Sequence, residues 1–199
     1  MKYIIGIDEV GRGALAGPVT VAAVAVRQNL KLKTQNLKLR DSKKLSVKQR
    51  EEWCVHIKEN YICAVARVYP RMIDKTNIAR AANLAAERAL KRLSHLCHDR
   101  EVSVILDGAL FLKSKDYQKI NFPNAKTIVR GDQKFNAVKM ASIVAKVHRD
   151  AYMRRLHKRH PQYGFHIHKG YGTKFHRKAI KRYGVSNVHR NSFTHRLAG

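Results

Sequence analysis

The chain has 199 residues, of which 44% are hydrophobic, enough to form one domain with a buried core. Lysine and arginine number 41 against 14 acidic residues, and the resulting charge of +27 favours a polyanionic partner such as nucleic acid. No apolar run is long enough for a membrane span and no signal peptide is visible, so we expect a cytoplasmic protein.

Two strands are predicted near the start of the chain. Residues 3–7 form a short apolar run that ends at Asp8-Glu9, a pattern typical of a buried strand. Gly11-Arg12-Gly13 indicates a turn, and the β-branched and alanine-rich stretch 19–26 predicts the second strand. Residues 27–45 are basic and have poor periodicity, so no regular element is predicted there.

A helix, a strand and a second helix are predicted in the middle of the chain. Ser46 and Gln49 have the spacing of a capping box, which predicts a helix over about 47–59. The alternation of side chains over 61–69 predicts a third strand. Apolar residues recur at helical spacing near 77–94, which predicts a long helix.

Two further strands are predicted in the second half, at 102–106 and 127–129, each followed closely by an aspartate beside a glycine. The apolar residues of 138–156 fall at helical spacing, and a short helix is predicted near 173–182. This order of elements favours an α/β fold in which helices flank a mixed sheet. We therefore expect one domain over residues 1–199 with five strands in its sheet.

The last quarter of the chain carries charge of one sign. From Ala151 to Gly199 there are twelve lysines or arginines and no aspartate or glutamate. Such a segment is typical of a surface that follows a phosphate backbone. We expect residues 151–199 to be a basic helical appendage that binds the substrate.

Acidic residues stand where predicted strands end. The first strand ends at Asp8 and Glu9, the fourth at Asp107, and the fifth shortly before Asp132. The ends of parallel strands meet at one edge of a sheet, where ligand sites form. Carboxylates gathered there repel one another and raise each other's pKa values unless a cation lies among them.

A hard divalent ion is the cation that suits such a site. Mg²⁺ prefers oxygen ligands, and two such ions about 3.5–4 Å apart support phosphodiester cleavage by activating water and stabilising the leaving oxygen. Neighbouring residues of a regular strand point to opposite faces, so Asp8 and Glu9 share an ion only if the strand ends or bends between them. The turn at 11–13 predicts such a bend.

The sequence resembles the ribonuclease HII family in a series of short blocks that occur in family order between residue 4 and about residue 195. The blocks are Ile7–Gly13 with Leu15–Pro18, Asp41–Ser46, Leu106–Gly108, Gly131-Asp132, Ala141–Val147 with Arg149-Asp150, and His168–Tyr171. Two stretches depart from the family pattern, 109–111 and 135–140. Neither departure replaces an acid of the predicted site.

The resemblance implies a ribonuclease H-like fold and an endonuclease activity. The implied enzyme hydrolyses the RNA strand of RNA–DNA hybrids and incises 5′ of ribonucleotides embedded in duplex DNA, as in ribonucleotide excision repair. The products carry a 3′-hydroxyl and a 5′-phosphate, and the cofactor is Mg²⁺ or Mn²⁺. The partners implied are hybrid and ribonucleotide-containing duplexes, with no membrane, and the protein is expected to be a monomer.

The resemblance also implies roles for single residues. Four carboxylates are implied to bind the metal and to be catalytic: Asp8, Glu9, Asp107 and Asp132. The turn Gly11-Arg12-Gly13 is implied to surround the ribonucleotide 2′-hydroxyl, the group that distinguishes RNA from DNA, and glycine allows such a close approach of the backbone. Tyr171 is implied to pack on the sugar of the adjoining deoxynucleotide. Lys43 and Asn77 are implied to contact backbone phosphates.

Three alternatives remain open at this point. Ribonuclease HIII usually carries an additional amino-terminal domain, for which a first strand at residue 3 leaves no room. A non-enzymatic RNA-binding or ribosomal protein accounts for the charge but gives the four acids no role. An integrase on the same fold lacks the turn at 11–13.

Two further features are interpreted as structural. Lys146 and Asp150 are four residues apart on a predicted helix, which indicates a stabilising ion pair, so Asp150 is left out of the site. Seven of the eleven histidines lie beyond residue 150 without zinc-ligand spacing. We expect those histidines at the surface or at phosphates.

Overall fold

A computed structural model describes residues 2–28, 39–94, 101–112, 124–195 and 197 of the chain. Five strands form one sheet: β1 (Lys2–Val10), β2 (Val19–Arg27), β3 (Ile62–Val68), β4 (Glu101–Asp107) and β5 (Asn124–Ile128). Their order across the sheet is β3-β2-β1-β4-β5. β2 runs antiparallel to β1 and β3, whereas β1, β4 and β5 are parallel. The mixed five-stranded sheet predicted from the sequence is confirmed.

The helices are α1 (Val47–Asn60), α2 (Pro70–Thr76), α3 (Ile78–Lys91), α4 (Gly131–Lys134), α5 (Asn136–Arg159), α6 (Phe165–His168), α7 (Lys174–Tyr183) and α8 (Asn191–Thr194), with 3₁₀ turns at Ser42–Lys44 and Pro161–Tyr163. None of the helices in the described part of the chain is long and apolar enough to cross a membrane. The predicted capping box opens α1, because Ser46 and Gln49 each accept a hydrogen bond from the backbone of the other.

Helices cover both faces of the sheet. One face packs against α3 through side chains that include Ile5 and Ile7 of β1. The other face packs against α1 and α5, and Trp53 of α1 is fully buried there. The start of α5 lies so close to β1 that a Cβ added to Gly6 would stand 2.1 Å from the carbonyl carbon of Ala137. Glycine is therefore required at the centre of β1.

Some element bounds differ from the prediction. The fifth strand begins and ends earlier than 127–129, and Val129 is 71% exposed beyond its end. An unpredicted helix, α2, precedes the long helix, and Pro70 occupies its first turn. Asn77 separates the two helices with a φ of 75°, and its side chain caps α3 by accepting a hydrogen bond from Arg80 N at 3.0 Å.

The expectation of surface histidines in the last quarter of the chain is wrong for three of them. His168, His176 and His189 are buried, and they lie among the aromatic rings of Tyr163 and Phe165. The rings of His168 and His176 stack with centroids 4.3 Å apart. Their nitrogens bond to backbone groups and to each other, which is why burial of these polar rings is tolerated.

The basic carboxy-terminal segment is attached to the loop after β1. Two isolated bridges join them, one between Ala14 and Tyr171 and one between Ala16 and His189. Backbone hydrogen bonds continue the attachment, since Gly17 N donates to the carbonyl of Val188 at 2.9 Å. The loop of residues 11–18 is thus held between the sheet and the carboxy-terminal segment.

Candidate active site

Four carboxylates meet where the parallel strands end. Asp8 and Glu9 lie near the end of β1, Asp107 is the last residue of β4, and Asp132 lies in α4, shortly after β5. All four line one cavity of about 330 Å³. The structure therefore brings together the four acids that the sequence places at strand ends.

Asp8 is buried and held by hydrogen bonds. Only 6% of the residue is exposed, and its Oδ1 accepts a hydrogen bond of 2.7 Å from the backbone N–H of Glu9. The hydroxyl of Ser142 also bonds to this carboxylate and lies 2.9 Å from the hydroxyl of Ser42. Burial, followed by repulsion from Glu9 and Asp107, raises the pKa of Asp8 well above its ordinary value, although both hydrogen bonds oppose the shift.

Glu9 reaches the cavity although the strand does not end before it. β1 stays paired with β2 through Glu9 and Val10, so the strand does not end between Asp8 and Glu9. Pairing of β1 with β4 stops one residue before Asp8, which opens that side of the strand. Burial raises the pKa of Glu9, and Arg12, 3.6 Å away, opposes the shift. The second oxygen of Glu9, Oε2, is buried without a hydrogen bond.

Asp107 and Asp132 line the cavity from β4 and α4. Asp107 Oδ1 accepts a hydrogen bond of 2.6 Å from the backbone N–H of Gly131, which fixes the start of α4 and with it Asp132. Burial raises the pKa of Asp132, repulsion from Asp107 and Asp41 adds to the shift, and Lys43 opposes it. The pKa values of Asp8, Glu9 and Asp132 are therefore all raised.

This set of oxygens fits a hard divalent cation. Within the described residues no group of three or more acidic, histidine or cysteine side chains already stands in metal-binding positions. The acids nevertheless converge on one cavity, where repulsion from neighbouring acids helps to raise the pKa values of Asp8, Glu9 and Asp132 and Glu9 Oε2 has no partner. A cation among them would lower the repulsion, and carboxylate oxygens are the ligands that Mg²⁺ prefers.

Two further predicted residues line the same cavity. Lys43 lies in the 3₁₀ turn after β2, where its backbone N–H donates to Asp41 at 2.9 Å. Tyr171 also lines the cavity, and the guanidinium of Arg149 stands 5.3 Å from the centre of its ring. A lysine and an aromatic ring thus line the cavity together with the four acids, a combination that proteins use to bind nucleic acids.

Comparison with known proteins decides the family. The model of the family described as Ribonuclease HII matches residues 5–196. The chain belongs to the ribonuclease HII family. A ribonuclease HII of Fusobacterium nucleatum is 45% identical over 98% of this chain and 87% of its own length. A ribonuclease HII of Pelagibacter ubique is 39% identical over 98% of this chain and 97% of its own length.

A solved structure shows the same fold. It is a complex of PCNA with the ribonuclease HII of Archaeoglobus fulgidus, and the match has a TM-score of 0.74 and 26% identity over 94% of this chain and 93% of that one. Membership of the ribonuclease HII family makes this chain a ribonuclease H. The family match confirms the sequence resemblance and speaks against a non-enzymatic RNA-binding protein.

The turn Gly11-Arg12-Gly13 stands beside the cavity, since Arg12 pairs with Glu9, one of the lining acids. Gly11 has a φ of 90°, and a Cβ there would lie 2.1 Å from Nε of Arg149, so only glycine fits. A Cβ on Gly13 would meet no atom within 4 Å, and the residue is exposed. The outer half of the turn is therefore open to a ligand.

Asn77 is not among the residues that line the cavity. It is exposed at the junction of α2 and α3, and its side-chain oxygen is used to cap α3. The neighbouring Asp74 accepts hydrogen bonds of 3.0 Å from the backbone of Asn191 and Ser192. The structure thus places Asn77 on a surface that joins the carboxy-terminal segment.

Sequence reasoning missed four other polar residues that line the cavity: Ser42, Arg50, Ser142 and Lys146. The ion pair between Lys146 and Asp150 is confirmed at 2.9 Å, yet Lys146 also faces the acids. Ser142 and Lys146 are four residues apart on α5, so they share a helix face. This four-residue spacing on α5 is the sequence signal that could have identified Ser142 and Lys146.

Proposed function

We propose that this chain is an endoribonuclease that hydrolyses the RNA strand of RNA–DNA hybrids and incises 5′ of single ribonucleotides in duplex DNA. The observation that carries the proposal is the convergence of four carboxylates in a cavity that also contains Lys43 and Tyr171. The names of the relatives support the reaction class. The bond broken lies between phosphorus and the 3′-oxygen of the preceding nucleotide, and the products carry a 3′-hydroxyl and a 5′-phosphate.

The four carboxylates are the proposed metal ligands and catalytic residues: Asp8, Glu9, Asp107 and Asp132. Mg²⁺ or Mn²⁺ bound among them would polarise the phosphate and supply a nucleophilic water. Asp8 is aligned for this by its hydrogen bonds with Glu9 N–H and Ser142. Glu9 has one oxygen directed toward Arg12 and the other without a partner, which leaves that oxygen available as a ligand.

Recognition of the ribose is proposed for the loop beside the acids. Gly11, Arg12 and Gly13 would present backbone groups and a guanidinium to the 2′-hydroxyl, because Gly13 is exposed and bears no side chain. Tyr171 would pack on the sugar of the adjoining deoxynucleotide, and its ring would leave no room for a further bulky group on that sugar. Lys43 and Asn77 would contact phosphates on either side, Lys43 from the cavity and Asn77 from the outer surface.

The remaining features concern the whole molecule. We propose a single ribonuclease H-like catalytic domain in which the basic residues of 151–199 bind the duplex backbone. The protein is proposed to act as a monomer in the cytoplasm. The Archaeoglobus fulgidus relative is named in complex with PCNA, and a sliding-clamp partner for this chain remains a proposal of the same kind.

Incision of a defined duplex tests the proposed function. The substrate is a DNA duplex with one internal ribonucleotide, incubated with the protein and Mg²⁺ or Mn²⁺. We expect one nick, 5′ of the ribonucleotide, and no nick in the all-DNA duplex. Asp8→Asn and Asp107→Asn should lower the rate by roughly 100- to 1000-fold, the loss typical when an electrostatic stabiliser is removed from an active site.

A matched control is available on the same strand. Glu101 lies at the opposite end of β4 from Asp107, where it pairs with Lys2 at 2.9 Å on the surface. Glu101→Gln should therefore retain the wild-type rate. The proposal fails if wild type leaves the ribonucleotide duplex intact with both metals, or if neutralising Asp8 and Asp107 leaves incision unchanged.

A further inference from the structure

Two buried histidines link the carboxy-terminal segment to the backbone of Tyr171. His176 Nδ1 lies 3.0 Å from the carbonyl oxygen of Tyr171, and His176 Nε2 lies 3.2 Å from Nε2 of His189. His189 Nδ1 lies 3.0 Å from the backbone nitrogen of Ser186. His176 is 0% exposed and His189 2%, so no water competes for these bonds.

The positions of the protons follow from these partners. Ser186 N–H is a donor, so Nδ1 of His189 must accept and its proton must lie on Nε2. The carbonyl of Tyr171 is an acceptor, so His176 must donate from Nδ1 and accept at Nε2. Both rings are therefore neutral and donate in one direction, from His189 through His176 to Tyr171.

We infer that His176 and His189 are positioning residues that set the place of Tyr171 in the substrate site. The carbonyl of Tyr171 also accepts from Thr173 N at 2.9 Å, and this turn carries the tyrosine ring into the cavity. The inference rests on the proposed function, since it assigns Tyr171 to substrate binding. Neither histidine lines the cavity, so both act through the tyrosine.

The same histidines connect Tyr171 to the loop of residues 11–18. His189 forms an isolated bridge with Ala16, and Arg190 N donates to the carbonyl of Leu15 at 2.8 Å. On the other side, Leu15 N donates to the carbonyl of Gly170 at 2.8 Å. The loop of residues 11–18, proposed to recognise the ribose, and Tyr171, proposed to contact the neighbouring sugar, are therefore both held by the segment that contains His176 and His189.

Burial agrees with the neutral state of both rings. It lowers the pKa of His176 and of His189 to about 4, so neither imidazole is charged at neutral pH. Stacking of His168 on His176 at 4.3 Å adds a third neutral ring, and its nitrogens are satisfied by the backbone of Tyr163 and Gly170.

Nitrogen NMR tests the proton positions directly. Long-range ¹H–¹⁵N spectra of the 22.8 kDa protein at pH 7.5 should show His176 protonated on Nδ1 and His189 on Nε2. A proton on Nε2 of His176, or a charged ring at either position, would overturn the inference. This arm does not depend on catalysis, so its result stands even if the proposed function fails.

Kinetics test the effect on Tyr171. With the single-ribonucleotide duplex and Mg²⁺, His189→Leu should raise KM about five- to tenfold and leave kcat within about twofold, the size expected for one lost positioning hydrogen bond. His189→Gln retains an N–H donor toward His176 and should keep KM within about twofold of wild type. Equal KM values for wild type and the leucine variant would contradict the inference.

A further pair of variants separates positioning from stability. Tyr163→Phe removes the hydrogen bond to the Gly184 carbonyl but keeps the aromatic ring that packs on His189. It should lower the thermal midpoint and leave KM unchanged. If His189→Leu does not fold, His176→Leu replaces it, because leucine has no donor for the carbonyl of Tyr171, and it should raise KM about five- to tenfold. An increase of KM in Tyr163→Phe equal to that of the histidine variants would sink the inference.

Discussion

Nη2 of Arg190 donates a hydrogen bond of 2.7 Å to the carbonyl oxygen of Gly11, and Arg190 is 0% exposed. The same guanidinium donates to the carbonyls of Arg12 at 2.7 Å and Gly17 at 3.0 Å. Burial, together with the charge of Arg149, lowers the pKa of Arg190 to about 9. A buried cation thus shapes the loop that bears the proposed ribose sensor, with backbone carbonyls as its partners.

Arg190→Met should destabilise the protein strongly. The change removes the guanidinium donors to the carbonyls of Gly11, Arg12 and Gly17, and we expect a loss of about 3 kcal/mol in the free energy of unfolding. Urea denaturation followed by circular dichroism measures it. Arg182→Met, at an exposed position of α7, is the control and should cost less than about 0.5 kcal/mol. Equal stability of the two variants would show that the guanidinium does not support the loop.

Much of the site could be predicted because its residues follow local rules. A short apolar run that ends in Asp8-Glu9 identifies β1, and a parallel sheet brings the ends of β1, β4 and β5 to one edge. The capping box at Ser46 likewise fixes the start of α1. In each case the signal lies within a few residues of the feature it predicts.

The buried arginines and histidines could not be predicted in this way. Arg149 and Arg190 donate hydrogen bonds to carbonyls of the loop of residues 11–18. These carbonyls lie 131 to 179 residues earlier in the chain. Their segment has no acidic residue beyond Asp150, so its cations have the pattern of a solvated surface. Only the tertiary fold shows that backbone carbonyls replace carboxylates as their partners.

Neutralising Asp8 should stabilise the metal-free protein although it slows incision. The raised pKa of Asp8 means that its charged form is disfavoured in the folded state, so this group lowers stability as pH rises through its folded pKa. Asp8→Asn should therefore raise the unfolding free energy at pH 7.5 by about 1 kcal/mol in EDTA. Differential scanning calorimetry measures the change.

The thermal midpoint is also measured with added Mg²⁺. The ion should raise the thermal midpoint of wild type and of Glu101→Gln, because binding to the folded state stabilises it, and should have little effect on Asp8→Asn. A lower midpoint for Asp8→Asn in EDTA, or an equal response of wild type and Asp8→Asn to Mg²⁺, would contradict the proposed metal site.

Stability should fall as the pH is lowered from about 6.5 toward 4. The pKa of His176 and of His189 is about 4 in the folded protein, against 6.5 for an ordinary histidine. Between these values the unfolded chain binds more protons, so the unfolding free energy rises with pH and the contribution is complete above about 6.5. By pH 5 we expect a loss of about 1–2 kcal/mol for each histidine.

The buried acids act in the opposite direction, so the comparison is made between wild type and His189→Gln. Urea denaturation at several values between pH 7.5 and pH 5 should give a shallower decline for the variant, which has one buried histidine fewer. Parallel curves for the two proteins would show that His189 does not remain neutral in the folded state.

Lys146 should bind substrate phosphate in addition to pairing with Asp150. It lies 2.9 Å from Asp150 and also lines the cavity of the four acids, whereas Asp150 is not among the lining residues. If the lysine only formed the ion pair, Lys146→Met and Asp150→Asn would have equal effects on hybrid binding.

We expect instead that Lys146→Met weakens hybrid binding and makes the slope of log affinity against log salt concentration shallower by about 0.9, the value for one lost phosphate contact. Asp150→Asn should leave the slope unchanged, because the lysine keeps its charge. Fluorescence anisotropy with a labelled hybrid in EDTA, at salt concentrations from 50 to 200 mM, measures both slopes, and equal slopes for the two variants would return Lys146 to a purely structural role.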